Sequence, residues 1–493
     1  MPVPVSVRGV IEGFYGPPWS HGARLDAIEF LAALGMNAYV YAPKSDPRHR
    51  ERWREPYEPH EHDAFGELAR ACRAVGARFG FALSPGLDVQ YDDESDRRAV
   101  LRKLMCLRDQ RVDWFVLALD DIPSRAGLAE EQANLATWLH HELGHDVRLS
   151  LVPTEYVGTR PTAYLSALGS GLPADVDVFW TGPTVCSPVI SADDARAWRE
   201  AVGGLPLLLW DNYPVNDATM QHELHLGPYR GRDPSLSDVL EGVLCNPMLQ
   251  PRASLVALAT AAEFWSDPAS YDETDAWERA ISEVGKDRRE ALRAVARACA
   301  DGPLTSSDTL PAATLVDALE VAMGTPARAQ PLAELRTEMR ALRAACDAWR
   351  DDPDDDLGAE LAPWLTQAAL EAEAALAALR LLRLIDPIGD SGQSGRGTSD
   401  GPDAEEAMLR CFGLLFAWSG ARDGRHVVLG PRFSLYPAVV QLADGAPGVD
   451  VSLAVREGAS VVDRLCRLAL DQYRRWVSAR SGNATAVPDA PCP

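Results

Sequence analysis

The run Trp114-Phe-Val-Leu-Ala-Leu-Asp120-Asp121 ends six apolar residues with two adjacent carboxylates. Desolvation and like-charge repulsion both oppose ionising such a pair together. The two acids are therefore expected to titrate as a coupled unit, with one member protonated to higher pH. A reaction that needs one acid and one anion uses such an inequality. The competing reading is a helix N-cap, where Asp is favoured. Two acids directly after a buried run favour chemistry.

Other residue types stand out by rarity. Only three of the 48 basic residues are lysines (Lys44, Lys103 and Lys286), and the chain has six asparagines. A lysine kept in an arginine-rich chain suggests a need for a compact ammonium rather than a planar fork. His141-Glu-Leu-Gly-His145 matches the zinc-binding HExxH pattern. Gly144 weakens a helix there, no third ligand is evident, and the motif precedes a strand. Helix-terminal histidines are the preferred reading, with no metal. His60, His62, His222 and His225 read as loop or surface residues. Gly9, Gly13 and Gly16 do not form a GxGxxG, no Walker lysine is present, and no GxSxG follows one of the apolar runs. Nucleotide binding and serine hydrolase chemistry are unsupported, and no cofactor is implied.

Composition narrows the partners. The 493 residues carry 72 acidic against 48 basic side chains, a net charge of −24. That excess disfavours nucleic acid and polyanionic substrates, because phosphate contacts need Lys and Arg. The 46% hydrophobic content rules out global disorder. Nine scattered cysteines without a CxxC pair read as reduced thiols of a cytoplasmic protein. No signal peptide and no membrane-length apolar run is found. The oligomeric state stays open, a homodimer being one candidate.

The elements that must position these residues are legible as apolar runs at 7–13, 37–43, 78–85, 114–121, 147–156, 176–183, 205–212 and 242–247, alternating with amphipathic stretches. Near-continuous apolar strands separated by helices point to a parallel sheet buried on both faces. Eight units in the first 250 residues or so predict an α/β fold, a (β/α)8 TIM barrel, with an open doubly wound sheet as runner-up. In a barrel the polar clusters ending each run converge on one mouth. From about 270 onward only helices are expected, at 271–301, 328–350, 357–385, 404–421 and 458–480, with a Gly/Ser-rich linker at 389–404. The domains are thus a catalytic barrel over 1–270 and an all-α region over 271–493. Asp351–Asp356 reads as an inter-helix loop or cap rather than a calcium site.

Several motifs resemble one family in order along residues 7–270: Gly9-Val-Ile-Glu-Gly-Phe-Tyr-Gly-Pro-Pro-Trp19, Tyr41-Ala-Pro-Lys-Ser-Asp-Pro47, Trp53-Arg-Glu-Pro-Tyr57, Ser84-Pro-Gly-Leu-Asp88, Leu119-Asp-Asp-Ile122, Val152-Pro-Thr-Glu-Tyr156, Trp180-Thr-Gly-Pro183, Trp210-Asp-Asn-Tyr-Pro-Val-Asn-Asp217 and Asn246-Pro247. They resemble glycoside hydrolase family 84, the O-GlcNAcases and related bacterial β-N-acetylglucosaminidases.

The resemblance implies a retaining exo-glycosidase in which the sugar's 2-acetamido oxygen attacks the anomeric carbon, giving an oxazoline. This is an exception to the two-carboxylate scheme. It implies Asp121 as general acid and then base, and Asp120 as the residue that orients and polarises the acetamido group. It implies Asn212, Tyr156 and Trp210 around that group, and Gly13 and Lys44 on hydroxyls. Asp217 is implied on the 4- and 6-hydroxyls, and Asn246 as a further polar contact. The implied partner is a β-N-acetylglucosaminide, on a glycoprotein or a small glycoside. Ser45 departs from the acidic residue common after the lysine, which bears on how Lys44 is oriented. The chain begins almost at the first strand, so the extra N-terminal domain of secreted relatives is not expected. Alternatives are a catalytically weak sugar-binding scaffold, an endo-acting hyaluronidase-type enzyme and a zinc peptidase.

Overall fold

A computed structural model describes residues 5–302, 304, 310–350, 355–385, 406, 409–410, 426–430, 433–441, 447–455 and 460–481. Eight parallel strands close into a barrel in sequence order: β1 (Val7–Glu12), β2 (Ala38–Tyr41), β3 (Arg78–Leu83), β4 (Trp114–Ala118), β5 (Arg148–Val152), β6 (Asp177–Trp180), β7 (Leu207–Asp211) and β8 (Gly242–Cys245). β8 returns to β1 with Gly9 opposite Leu244. The closed ring replaces the open-sheet alternative.

Six strands stop before the polar cluster that ends the apolar run, while β1 and β7 run on through Glu12 and Asp211, and the clusters gather at one rim. Helices α1 (His21–Ala33), α2 (Pro59–Ala74), α3 (Glu94–Arg108), α4 (Leu128–Leu143), α5 (Ala163–Gly171) and α6 (Ala192–Ala201) follow β1 to β6, and α7 (Pro251–Ser266) follows β8. Ser20, Asp93, Thr162 and Ser191 cap α1, α3, α5 and α6 with side-chain oxygens. The regular (β/α)8 pattern lapses once. Between β7 and β8 stand two 3₁₀ turns, at Ala218–Met220 and Pro234–Asp238, in place of an α-helix.

The core has two layers. Val116, Phe179, Trp114 and Trp210 belong to an interior cluster enclosed by the strands. A larger cluster lies between strands and helices, holding Phe81, Leu117, Leu151 and Leu209. Burial on both faces explains why the strands read as continuous apolar runs.

The chain divides into two compact units. One comprises residues 1–289, 300–307 and 432–456, the other 290–299, 308–431 and 457–493. The barrel unit continues through α8 (Glu273–Gly285). The second unit packs α11 (Ala329–Arg350) on α12 (Asp356–Leu384), with α9 (Arg289–Ala298), α10 (Pro311–Ala322) and α13 (Val461–Ser481) around them. Asp355 caps α12 by accepting from the Gly358 N–H, as the capping reading expected.

The expectation of helices only after 270 needs correction. Strands β9 (Phe433–Gln441) and β10 (Pro447–Val455) form an antiparallel ladder with Tyr436 opposite Ser452, and it groups with the barrel unit. α10 was likewise not expected. The expected linker at 389–404 lies outside the described residues, as does almost all of 404–421. No described helix is long and apolar enough to cross a membrane.

Candidate active site

Trp114, Val116 and Ala118 belong to the barrel's interior cluster. The two-residue period of a strand carries that face to Asp120, which is buried at the mouth. Asp121 then breaks from the strand with φ 55, a left-handed conformation uncommon for a residue with a side chain. The turn is held from several sides. The Thr154 hydroxyl donates to the Leu119 carbonyl at 2.7 Å, the Leu119 N–H to Val152 O at 2.9 Å, and Arg50 Nη2 reaches the Asp121 carbonyl at 3.4 Å.

The two carboxylates have different surroundings. Lys44 Nζ donates to Asp120 Oδ2, whereas Asp120 Oδ1 is buried and has no hydrogen-bond partner. On Asp121, Tyr15 Oη donates to Oδ2 at 2.6 Å and Tyr156 Oη to Oδ1 at 2.9 Å. Burial pushes the Asp121 carboxyl upward. The Lys44 ammonium, the two phenol hydrogen bonds and Arg50 outweigh it and hold the group below its ordinary value.

Asp121 is thus a member of the pair that is held in its anionic form. The reason is that cations are built into the site. The acid pushed up is Asp217, to about 6, chiefly by burial and also by the Asp121 charge. Its Oδ2 accepts the Tyr15 backbone N–H at 2.7 Å.

The floor is an amide network. The Gly13 N–H donates to Asn246 Oδ1 at 3.1 Å, and Asn246 Nδ2 donates to Asn212 Oδ1 at 3.0 Å. The Trp210 indole N–H also reaches Asn212 Oδ1 at 3.0 Å, and Asn212 Nδ2 donates to Val185 O at 2.8 Å. Gly13 is required by contact. A Cβ there would lie 2.1 Å from Trp210 Cζ2. Ser45 does not touch Lys44's ammonium partner; its hydroxyl accepts the Gly16 N–H at 2.9 Å, tying the β1–α1 loop to the β2–α2 loop.

Asp120, Asp121, Gly13, Lys44, Tyr156, Trp210, Asn212, Asp217 and Asn246 all line one cavity of about 220 Å³. That is smaller than the roughly 300–1,000 Å³ of clefts for drug-sized ligands, and suits one sugar residue. The cavity also takes in Tyr15, Thr181, Val185 and Cys186, to which the sequence reading gave no role. Tyr15 stood inside the Gly9–Trp19 motif, so its position was signalled. Val185 and Cys186 carried no signal, because only closure of the barrel brings the β6–α6 loop to the mouth. Arg50, which bonds the Asp121 carbonyl, was missed for the same reason.

The histidine motifs lie elsewhere. α4 ends inside His141–His145, and the His141 side chain is 86% exposed. His225 corrects the loop-or-surface reading. It is fully buried, with Nε2 3.0 Å from Glu223 Oε2 and Nδ1 facing the Pro214 and Val215 carbonyls. It thus braces the loop that leads from Asn212 to Asp217.

Comparison with known proteins agrees with this geometry. The chain is 34% identical over 272 residues to the protein O-GlcNAcases of Rattus norvegicus and Mus musculus, covering 52% of this chain. The match takes in only 30% of the length of those relatives. Among solved structures, a mutant of the Thermobaculum terrenum O-GlcNAc hydrolase superposes with a TM-score of 0.80 at 29% identity, covering 98% of each chain. The structure called CpGH84B gives 0.76 at 28% identity, over 86% of this chain and 75% of its own. A family model described as beta-N-acetylglucosaminidase matches residues 8–297, more than half the chain, from the first strand into α9. The chain belongs to that family of β-N-acetylglucosaminidases, glycoside hydrolase family 84.

Proposed function

We propose that this chain is a retaining exo-β-N-acetylglucosaminidase that removes terminal β-linked N-acetylglucosamine by substrate-assisted catalysis. The observation that carries the reading is Asp120. One of its oxygens is neutralised by Lys44, while the other is a buried acceptor with no donor. Leaving a buried acceptor unmatched is costly, and an acetamido N–H supplies the missing partner.

With that N–H on Asp120 Oδ1, the acetamido oxygen gains negative character and attacks the anomeric carbon as the glycosidic bond breaks. Asp121 gives its proton to the departing oxygen. The Asp121 carboxylate then takes a proton from water, which opens the oxazoline and restores the acetamide. Asn212, Tyr156 and Trp210 enclose the acetamido group. Lys44, with donor capacity beyond its bond to Asp120, and the Gly13 backbone meet hydroxyls. Asp217 accepts from the 4- and 6-hydroxyls, and Asn246 adds a polar contact through the floor network.

Tyr15 and Leu87 support a polypeptide aglycone carrying O-linked N-acetylglucosamine. Both are exposed apolar residues, and Leu87 adjoins Gly86, which faces the Ile122 methyls beside Asp121. The rodent relatives bear the name O-GlcNAcase. We assign the chemistry to residues 1–270, since every residue lining the cavity lies between Gly13 and Asn246. A cytoplasmic setting fits seven described cysteines that are all free thiols, six of them buried. An endo-acting hyaluronidase fits poorly, because its polymer is anionic and the cavity holds one sugar.

The test is a series of aryl β-N-acetylglucosaminides with zero to three fluorines on the acetamide. Rates should fall steeply with each fluorine, and a flat series would sink the mechanism. In parallel, Asp121→Asn should cost about 10²–10⁴ in kcat with poor leaving groups and far less with activated phenols.

A further inference from the structure

The histidines around the HELGH run take no part in the sugar site, yet the fold gathers two of them with a third donor. α4 ends at Leu143, and Gly144 at φ 85 turns the chain back. His145 thereby comes beside His140, with ring centroids 5.7 Å apart at 73°. Asp175, two residues before β6, places Oδ2 3.1 Å from His140 Nε2. The candidate donor atoms of these three residues all lie within 4.8 Å of one another, the one such group of three among the described residues.

We propose that His140, His145 and Asp175 form a binding site for a zinc-class divalent transition-metal ion at the end of the barrel opposite the sugar cavity. The chemistry of the donors selects the ion. Two imidazoles and one carboxylate suit zinc, nickel or copper, whereas calcium and magnesium require oxygen ligands. Zinc holds such donors at about 2.0–2.2 Å, which sets them roughly 3.3–3.5 Å apart in a tetrahedral shell. His140 and Asp175 already stand close to that separation at 3.1 Å, and the exposed His145 brings a donor atom within 4.8 Å of both.

The two segments are also fastened together without the ion. The Thr137 hydroxyl donates to the Gly171 carbonyl at 2.9 Å, linking α4 to the end of α5. A Cβ on Gly171 would lie 2.7 Å from the Ala133 Cβ, so the helices approach closely there. The carbonyl end of α4 adds favourable potential for a cation. Arg108 balances the neighbouring acid, bonding Asp146 Oδ2 at 2.6 Å and the Leu143 carbonyl at 2.8 Å.

The ligand register differs from the HExxH reading. The pair is His140 and His145 across the helix end, not His141 and His145 on one helical face. The ion would clasp the α4–β5 and α5–β6 loops, with no step in hydrolysis assigned to it.

The experiment is calorimetric titration of the full chain, stripped with chelator, with zinc chloride alone in a non-coordinating buffer. One ion per chain is expected, with a thermal stabilisation that accompanies it. His145→Ala and Asp175→Asn should each weaken binding by roughly tenfold or more and abolish the stabilisation. His141→Ala should leave both unchanged, as should turnover of an aryl β-N-acetylglucosaminide with and without zinc. Three results would overturn the site: no saturable binding, binding unaffected in both ligand variants, or equal losses in His141→Ala and His145→Ala.

Discussion

Asp217 shows at the residue scale how binding chemistry opposes stability. Burial first, and the Asp121 charge after it, raise its carboxyl to about 6 from 3.8. The folded chain therefore binds this proton more tightly than the unfolded chain. The advantage is complete below the unfolded value and is lost as pH rises through about 6. Asp217→Asn removes the charged form, so it should stabilise the protein near neutrality by on the order of 2 kcal/mol and change little under acid conditions. The same variant should lose kcat/KM, mainly through KM. Paired melting curves at two pH values and steady-state kinetics check both halves. Asp121 titrates in the other direction, its anion held by Lys44, Tyr15 and Tyr156. Removing one phenol donor raises its proton affinity. Since the acid form acts first, the alkaline limb of the kcat/KM profile should move to higher pH in Tyr156→Phe, by up to about one unit. An unmoved limb would mean that Tyr156 does not set the acid's proton affinity.

The same logic extends to elements, because alternation along a strand sends neighbours to opposite faces. In β7, Trp210 faces the interior. Asp211 faces outward into a buried pair with Arg232, whose Nε lies 2.8 Å from Oδ2, and Tyr229 Oη donates to the same carboxylate. β1 repeats the arrangement, with Glu12 held by Arg24 at 2.7 and 2.9 Å. These outward acids were read as part of the mouth clusters, yet they anchor strand ends rather than face the cavity. Arg232→Met leaves the Asp211 charge buried without its cation, which should cost about 3–5 kcal/mol in urea unfolding. Adding Asp211→Asn should recover much of that loss. Most elements were legible because eight apolar runs each ended in turn residues. The missing helix after β7 was not, because residues 213–241 adopt a braced loop whose partners lie far along the chain. The β9–β10 ladder was also missed, its Ser434-Leu-Tyr-Pro-Ala438 stretch being short and interrupted by proline.

Across the whole molecule, the −24 charge acts at long range rather than in the chemistry. It should draw basic glycopeptides toward the barrel. Their kcat/KM should therefore fall several-fold between about 0.03 and 0.3 M salt, while a neutral aryl glycoside stays flat. Equal salt responses for the two substrates would remove this role for the charge.

By itself the sequence determined the strand periodicity, the rare residue types and the ordered motifs. Those are local properties, and from them the barrel, the acid pair and the family resemblance could be read. Tertiary structure decided what each acid experiences. Lys44 reaches Asp120 from a loop 76 positions away, and Tyr15 and Tyr156 meet on Asp121 from β1 and β5 loops. It also decided that His140, not His141, stands with His145 and Asp175. The physical reason is common to all of these. Proton affinity and ligation depend on distances of a few ångströms between groups remote in sequence, and only the closed barrel sets those distances.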